Sequence, residues 1–278
     1  MEKLRNRFVR AALCLCLLAC FALALGLPAQ TANNNGDTDL FSAIDPHSYV
    51  DRTSAVIYDS TNGLPTNGVN DIAQTKEGFL WIGSYCGLIR YDGNYFELLD
   101  ASSGLSSIES LFVDSQDRLW IGTNDSGLAL MDRGELRFWD EDHGFPSAKV
   151  GDVQESEDGT IYVATTEGLV MITPDLVAHT ADDPRLAGAY VEQLSYGSGD
   201  LLYGITNEDD YFTLRSGKLE TYIDHTQTRI QGITSILADP NNPGEIYIGT
   251  DSGKLYHGDP DGEISAMECT DTAPLTNI

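Results

Sequence analysis

The chain has 278 residues and a formal net charge of −27, with 43 acidic against 16 basic side chains. A surface this acidic repels phosphate backbones and anionic lipid headgroups, which disfavours nucleic-acid binding and peripheral membrane binding. Hydrophobic residues make up 41% of the chain, enough for a core, and five cysteines are too few for a disulfide-built scaffold.

Residues 1–29 have the composition of an export signal. Residues 1–10 carry four basic side chains against one acidic one, and residues 11–27 carry no charge. This order predicts a signal peptide or an uncleaved signal anchor, followed by a polar leader over residues 30–53. A lipoprotein signal ending at Cys20 is a third interpretation. The sequence thus predicts an exported chain, periplasmic or on the extracellular face of the cytoplasmic membrane, whose residues 31–278 keep 12 basic and 42 acidic side chains.

The signal contains three of the five cysteines, which leaves Cys86 and Cys269. In an oxidising location these two could form a disulfide. They lie far apart along the chain, so two separate, half-buried thiols are the alternative prediction.

A repeat of about forty residues organises the chain from residue 54 onward. One aromatic residue recurs at intervals of 39, 42, 41 and 44 residues, at Trp81, Trp120, Tyr162, Tyr203 and Tyr247. Such regular self-similarity is typical of repeat architectures. The copies lie near residues 63–99, 104–139, 144–172, 186–222 and 231–269, and a sixth begins at 275–278.

Each copy predicts four short strands. In the first copy these are residues 69–74, 79–83, 88–91 and 95–99, with Asp92-Gly93 as a hairpin turn. The second strand is apolar on both faces, which places Trp81 and Trp120 in the core rather than on a sugar-binding surface. Outside the signal no segment has a sustained helical period. The pattern predicts an all-β fold, a β-propeller of four-stranded antiparallel blades over residues 54–278.

The number of copies in the chain does not correspond to a complete ring of blades. Five copies and the start of a sixth are present, and residues 54–59 (SAVIYD) resemble an outermost strand that has no blade of its own. In a closed propeller such a strand completes the last blade. The sequence therefore predicts the front part of a longer protein with a seven-bladed ring, and a five-bladed ring is the alternative.

The repeat resembles that of the two-component regulator propeller family. The first copy carries Gly63-Leu64-Pro65, Leu80-Trp81-Ile82-Gly83 and Arg90-Tyr91-Asp92-Gly93, and the second keeps Leu119-Trp120-Ile121-Gly122-Thr123. The resemblance implies the exported sensor region of a bacterial two-component or diguanylate cyclase signalling protein. It implies ligand sensing without catalysis in this segment. The alternatives are a secreted propeller enzyme acting on polysaccharide and a structural interaction propeller.

The loops that join the second and third strands are the candidate ligand-binding site. In propellers these loops and the connections between blades gather on one face around the axis, and their residues here are hydroxyls, amides and acids with one tyrosine. The predicted ligand-binding residues are Tyr85, Asn124, Asp125, Glu167, Asn207 and Asp251. Ordinary solvated turns are the competing interpretation. His143, Phe145 and Lys149, in a connection between blades, are weaker candidates.

The predicted partner is a small polar ligand such as an oligosaccharide. Catalytic residues and cofactors are not predicted, and the five histidines have no metal-ligand spacing, so no metal site is predicted either. The sequence leaves open whether the chain forms a homodimer. Membrane contact is expected only through the N-terminal segment or a C-terminal helix beyond this chain.

Overall fold

The computed structural model describes residues 56–267. The export signal, the leader, Cys269 and the start of the sixth copy lie outside these residues. Twenty strands form five four-stranded antiparallel sheets, each built from four strands consecutive in the chain. The sheets correspond one to one to the five repeats, which confirms the predicted propeller blades.

Strand bounds in the first copy agree with the prediction to within two residues. In chain order the sheets are β1 Asp71–Gln74, β2 Leu80–Ser84, β3 Gly87–Tyr91, β4 Phe96–Leu99; β5 Ile108–Val113, β6 Leu119–Thr123, β7 Leu128–Asp132, β8 Glu135–Trp139; β9 Val150–Glu155, β10 Ile161–Thr165, β11 Gly168–Ile172, β12 Ala178–Thr180; β13 Val191–Tyr196, β14 Leu201–Thr206, β15 Tyr211–Arg215, β16 Lys218–Ile223; β17 Ile233–Ala238, β18 Ile246–Thr250, β19 Leu255–Gly258, β20 Ile264–Ala266.

Helical structure among the described residues is confined to connections between sheets. Two 3-10 turns span Ala101–Ser103 and Glu141–His143, and one α-helical turn, α1, spans His225–Thr228. Asp140 and Asp224 cap the second 3-10 turn and α1 through their carboxylates. None of the helices in residues 56–267 has the length and apolar character needed to cross a membrane.

Neighbouring sheets pack face to face, and their first strands contact one another in the order β1, β5, β9, β13, β17. The recurring aromatic residue fills the interface between its own sheet and the next. Trp81 lies in one buried cluster with Leu111 of the second sheet, and Trp120 lies in another with Val153 of the third. Tyr162 and Tyr203 take the same place in the next two interfaces. The prediction that both tryptophans are core residues is confirmed.

Backbone amides on the free edges of the first strands donate hydrogen bonds to side chains of the preceding sheet. The carboxylate of Asp71 accepts a hydrogen bond from the backbone amide of Leu111 at 2.7 Å, and the carboxylate of Asp152 accepts one from the amide of Leu194 at 3.0 Å. Unpaired amides along a strand edge would otherwise be left without partners. These bonds fix the position of each sheet relative to the next.

The five-bladed closed ring, which is the alternative that the sequence leaves open, does not form within the described residues. The first and fifth sheets share no interface like those between successive sheets. The outer face of the first sheet instead carries a buried cluster of its own residues, which include Leu64, Ile82 and Ile89. A closed interface would bring residues of the fifth sheet into this cluster.

The described part of the SAVIYD segment, residues 56–59, forms no strand. Whether the segment completes the last blade of a ring is not tested by residues 56–267 and stays a prediction. A strand needs a neighbouring strand for its backbone hydrogen bonds, whereas this segment contacts the first sheet through an aromatic side chain. The ring of Tyr58 lies 5.5 Å from that of Tyr91 and 5.2 Å from that of Phe96, centroid to centroid.

Glycine begins or immediately precedes the third strand in three of the sheets, at Gly87, Gly127 and Gly168. Gly127 has φ +77°, and a Cβ there would overlap the backbone carbonyl of Trp139. We expect Gly127→Ala to lower the free energy of unfolding by more than about 2 kcal/mol, because left-handed strain and backbone overlap add. Urea denaturation measures this loss.

Gly134→Ala is the matched control. Gly134 has a similar φ of +85°, but a Cβ there meets no atom within 4 Å. Only the left-handed strain remains, about 1 kcal/mol. Equal losses in the two variants would show that the overlap at Gly127 relaxes without cost.

Candidate functional site

One end of the sheets gathers the loops between second and third strands together with the connections between sheets. We call this end the loop face. The backbone carbonyl of Tyr85 accepts a hydrogen bond from the backbone amide of Ser107 at 3.2 Å. The carbonyl of Ser107 in turn accepts one from the backbone amide of Asn124 at 2.9 Å. The same backbone contacts recur between Gly188 and Glu167, Asn207 and Tyr190, and Asp251 and Gly232. Loops of different sheets are therefore held side by side.

All six predicted ligand-binding residues lie in these loops. Tyr85 is 63% exposed. The Asn124 amide is committed to Glu109, to which it donates at 2.7 Å. The other four, Asp125, Glu167, Asn207 and Asp251, are exposed. Their placement agrees with the prediction, and their role in binding stays a prediction.

The first strands add two glutamates that the sequence reasoning missed. The register with the second strand shifts between Ile108 and Ser110 and again between Val191 and Gln193. Such a bulge turns the extra residue out of the ladder. The extra residues are Glu109 and Glu192, each eleven positions before the recurring aromatic residue. This fixed offset was a signal in the sequence.

Lys149, in the connection between the second and third sheets, lies against Tyr190. Its Nζ is 5.7 Å from the centroid of the Tyr190 ring. A hydrogen bond with Tyr190 raises the pKa of the Lys149 ammonium group, and nearby Glu109 and Tyr85 act in the same direction, against partial burial. Lys149 is therefore positively charged at neutral pH. We call Tyr85, Glu109, Lys149, Tyr190 and Glu192 the Lys149 cluster.

Glu192 is a partly buried acid of the cluster. Burial raises the pKa of its carboxyl, Lys149 opposes this shift and Asp209 adds to it. Asp209 is itself held by the backbone amides of Gly232 at 2.9 Å and Ile233 at 2.7 Å. One ammonium group, two carboxylates and two phenol rings thus belong to one surface, where they can hydrogen-bond a polar ligand and stack on it. They come from the first, second and fourth sheets and from the connection before the third.

The weaker candidates have different outcomes. Lys149 belongs to the cluster, but Phe145 is buried between the second and third sheets and so cannot reach a ligand. His143 is exposed and paired with Asp140.

Cys86 is exposed in the β2–β3 turn rather than half-buried, because the turn carries its side chain away from the sheet. Beside the fifth sheet the loop face has a hollow of about 390 Å³ lined in part by Arg229, Asp251 and Lys254.

The opposite end of the fifth sheet holds three side chains that could bind a metal ion. Asp239 follows β17, Glu245 precedes β18 and His257 lies on β19. One donor atom from each lies within 4.8 Å of the others. Their positions in the sequence have no regular spacing, and only the pairing of the three strands brings them together. Among residues 56–267 no other group of three such ligands converges in this way.

Comparison with known proteins agrees with the repeat and the fold. The profile of the family described as "Two component regulator propeller" matches residues 63–86 and 102–125, in the first two copies. No curated protein matches the chain.

Solved structures of similar fold include both sensors and enzymes. Virginiamycin B lyase from Staphylococcus aureus with quinupristin has a TM-score of 0.62 at 15% identity, over 73% of this chain and 71% of that one. The extracellular domain assigned to a hybrid two component system of B. thetaiotaomicron has a TM-score of 0.57 at 17% identity, over 80% of this chain and 38% of that one. A gluconolactonase from Xanthomonas campestris has a TM-score of 0.53 at 15% identity, over 74% and 77%. At these identities the likeness concerns the fold.

Proposed function

We propose that this chain, whose first two repeats match the two-component regulator propeller family, is the exported sensor module of a bacterial signalling protein. It binds a small polar ligand, such as an oligosaccharide, at the Lys149 cluster on the loop face. The observation that carries the proposal is this cluster. Its residues come from the first, second and fourth sheets and from the connection before the third, and the charge of Lys149 interacts with those of Glu109 and Glu192, the two residues at the bulges.

The chemistry of the cluster suits a neutral, hydroxyl-rich ligand. Carboxylates accept hydrogen bonds from hydroxyls and the ammonium group donates to them, while the exposed ring of Tyr85 offers an apolar face. The one ammonium group offsets only one of the two carboxylates, so the cluster favours a neutral ligand over an anionic one. The sensor domains of similar fold support the signalling role. In such a protein, ligand binding here would be transmitted by further segments of a longer chain.

A propeller enzyme is the second candidate, supported by the lyase and the gluconolactonase of similar fold. Two carboxylates on the loop face, Glu109 and Glu192, are the groups that acid–base chemistry there would use. An enzyme would convert its ligand, and Glu109→Gln and Glu192→Gln would each abolish product formation. A sensor would bind the ligand and release it unchanged.

The test is a thermal-unfolding screen of the chain against a panel of oligosaccharides. A ligand that binds only the folded state stabilises it by about 2.7 kcal/mol at 100 times its Kd. We expect a saturable rise in Tm with at least one oligosaccharide, and binding weakened about 10-fold or more by Lys149→Gln, which removes a charged hydrogen-bond donor.

Lys218→Gln is the matched control, since Lys218 lies exposed on the outermost strand β16. It should bind as the unchanged chain does. Saturable binding that Lys149→Gln leaves intact would place the ligand elsewhere. Chromatography of the ligand before and after incubation separates a sensor from an enzyme.

A further inference from the structure

The second and fifth sheets carry a buried aspartate at the same place. Asp114 follows β5, and its backbone amide donates to the carbonyl of Arg118 at 3.0 Å. Asp239 follows β17, and its amide donates to the carbonyl of Glu245 at 2.9 Å. Arg118 and Glu245 each stand directly before the second strand of their sheet. Asp239 therefore corresponds to Asp114, and Glu245 occupies the position of Arg118.

In the second sheet the buried charge has a cation beside it. The side chain of Asp114 is fully buried, and Arg118 Nε donates to its Oδ2 at 2.6 Å. The indole Nε1 of Trp120 donates to the same oxygen at 2.9 Å. A buried carboxylate is stable only when it is paired and hydrogen-bonded in this way.

In the fifth sheet the cation is replaced by a second acid. The side chain of Asp239 is only 1% exposed, yet the position of the arginine holds Glu245. His257 Nε2 lies 2.9 Å from Asp239 Oδ2 and 3.1 Å from Glu245 Oε2. Two carboxylates with one imidazole leave a net negative charge whether or not the histidine is protonated. The site therefore lacks the compensation that its counterpart has.

The three side chains are also held in place by their surroundings. Asp239 accepts the backbone amide of Asn241 at 2.8 Å and the side-chain amide of Asn242 at 2.9 Å. Burial pushes the pKa of Asp239 upward, but these bonds and the neighbouring His257 outweigh it and lower the pKa. The ring of His257 is stacked on Tyr247, 4.2 Å between centroids. Hydrogen-bonded carboxylate ligands and a fixed imidazole ring are typical of metal centres.

We propose that Asp239, Glu245 and His257 form a binding site for a divalent transition metal of the Zn²⁺ type. One imidazole nitrogen and two carboxylate oxygens are a donor set that Zn²⁺ accepts, with water in the fourth position. Ligand atoms about 2.0–2.2 Å from a zinc ion are roughly 3.4 Å apart in a tetrahedron. The observed separations of 2.9 and 3.1 Å need only a small outward shift. The ion supplies the positive charge that Arg118 supplies in the second sheet.

The test is calorimetric titration of the full chain, purified without a tag and stripped with EDTA, with ZnCl₂. We expect one saturable site that is weakened at least 10-fold in His257→Leu and in Glu245→Arg. Leucine is the residue at the matching position of the second sheet, Leu130, and arginine recreates the pair of Asp114 with Arg118. Both variants should therefore remain folded, which circular dichroism checks. Zn²⁺ should raise the Tm of the unchanged chain and not that of the variants.

His143→Leu is the control, because His143 contacts one aspartate, Asp140, and no third ligand. Its zinc titration should match that of the unchanged chain. The proposal is overturned if the unchanged chain has no saturable site, or if both variants bind Zn²⁺ as it does. The latter result would assign the ion to other residues, such as cysteines. His257 would then only hydrogen-bond the carboxylates of Asp239 and Glu245.

Discussion

Replacing Arg118 by Met is expected to lower the free energy of unfolding by about 3–5 kcal/mol. The substitution keeps most of the side-chain volume but removes the guanidinium that pairs with Asp114, whose carboxylate is fully buried. Backbone amides of Gln116 and Arg118, each 2.9 Å away, would still bond the carboxylate, but they carry no net charge. The aspartate must then stay ionised without a cation or take up a proton. Chemical denaturation at neutral pH measures the loss.

Two further variants separate the buried charge from other effects. Arg90→Met breaks an ion pair of similar length, 2.7 Å to Glu97, in which both side chains are well exposed. Exposed pairs contribute at most about 1 kcal/mol, so this variant should lose little. The double variant Asp114→Asn with Arg118→Met should be more stable than Arg118→Met alone, because no charge is left in the interior. A small loss in Arg118→Met would mean that water reaches Asp114.

The fold could be predicted from the sequence because each blade depends on local signals. A strand that is apolar on both faces, with its aromatic residue at a steady interval, follows directly from packing between sheets, as Trp120 illustrates. Turn residues such as Asp92-Gly93 mark the strand ends, where the Asp92 carboxylate accepts the amides of Asn94 and Tyr95. Whether the first and fifth sheets meet depends on long-range packing, to which these local signals do not refer.

The candidate site could be predicted only in part. The loops that carry Tyr85 and Asn124 were found because their position in each copy is fixed. Lys149 and Glu192 come from different copies, and their proximity depends on how far each sheet is turned against the next. A bulge of one residue decides whether Glu192 faces a neighbouring sheet or the loop face. The exchange of Arg118 for Glu245 is visible in the sequence only after the two turns have been superimposed.

Replacing Trp120 by Ala is expected to lower the free energy of unfolding by about 3–5 kcal/mol, because a large, fully buried side chain leaves a cavity between two sheets. Trp120→Phe keeps most of the volume, so its loss reports the hydrogen bond from Nε1 to Asp114, about 1.5–3 kcal/mol for a charged acceptor. Urea denaturation of both variants gives the two values.

Trp81→Phe is the matched control at the same position of the first repeat. Trp81 packs between the first and second sheets as Trp120 packs between the second and third, but its Nε1 is buried without a hydrogen-bond partner among the described residues. Removing that nitrogen also removes an unsatisfied donor, so Trp81→Phe should cost less than Trp120→Phe by about 1 kcal/mol or more. Equal losses would mean that the two tryptophans stabilise the sheets by packing alone, and that the bond to Asp114 adds nothing. A larger loss in Trp120→Phe would instead identify Asp114 as the anchor of both its arginine and its tryptophan.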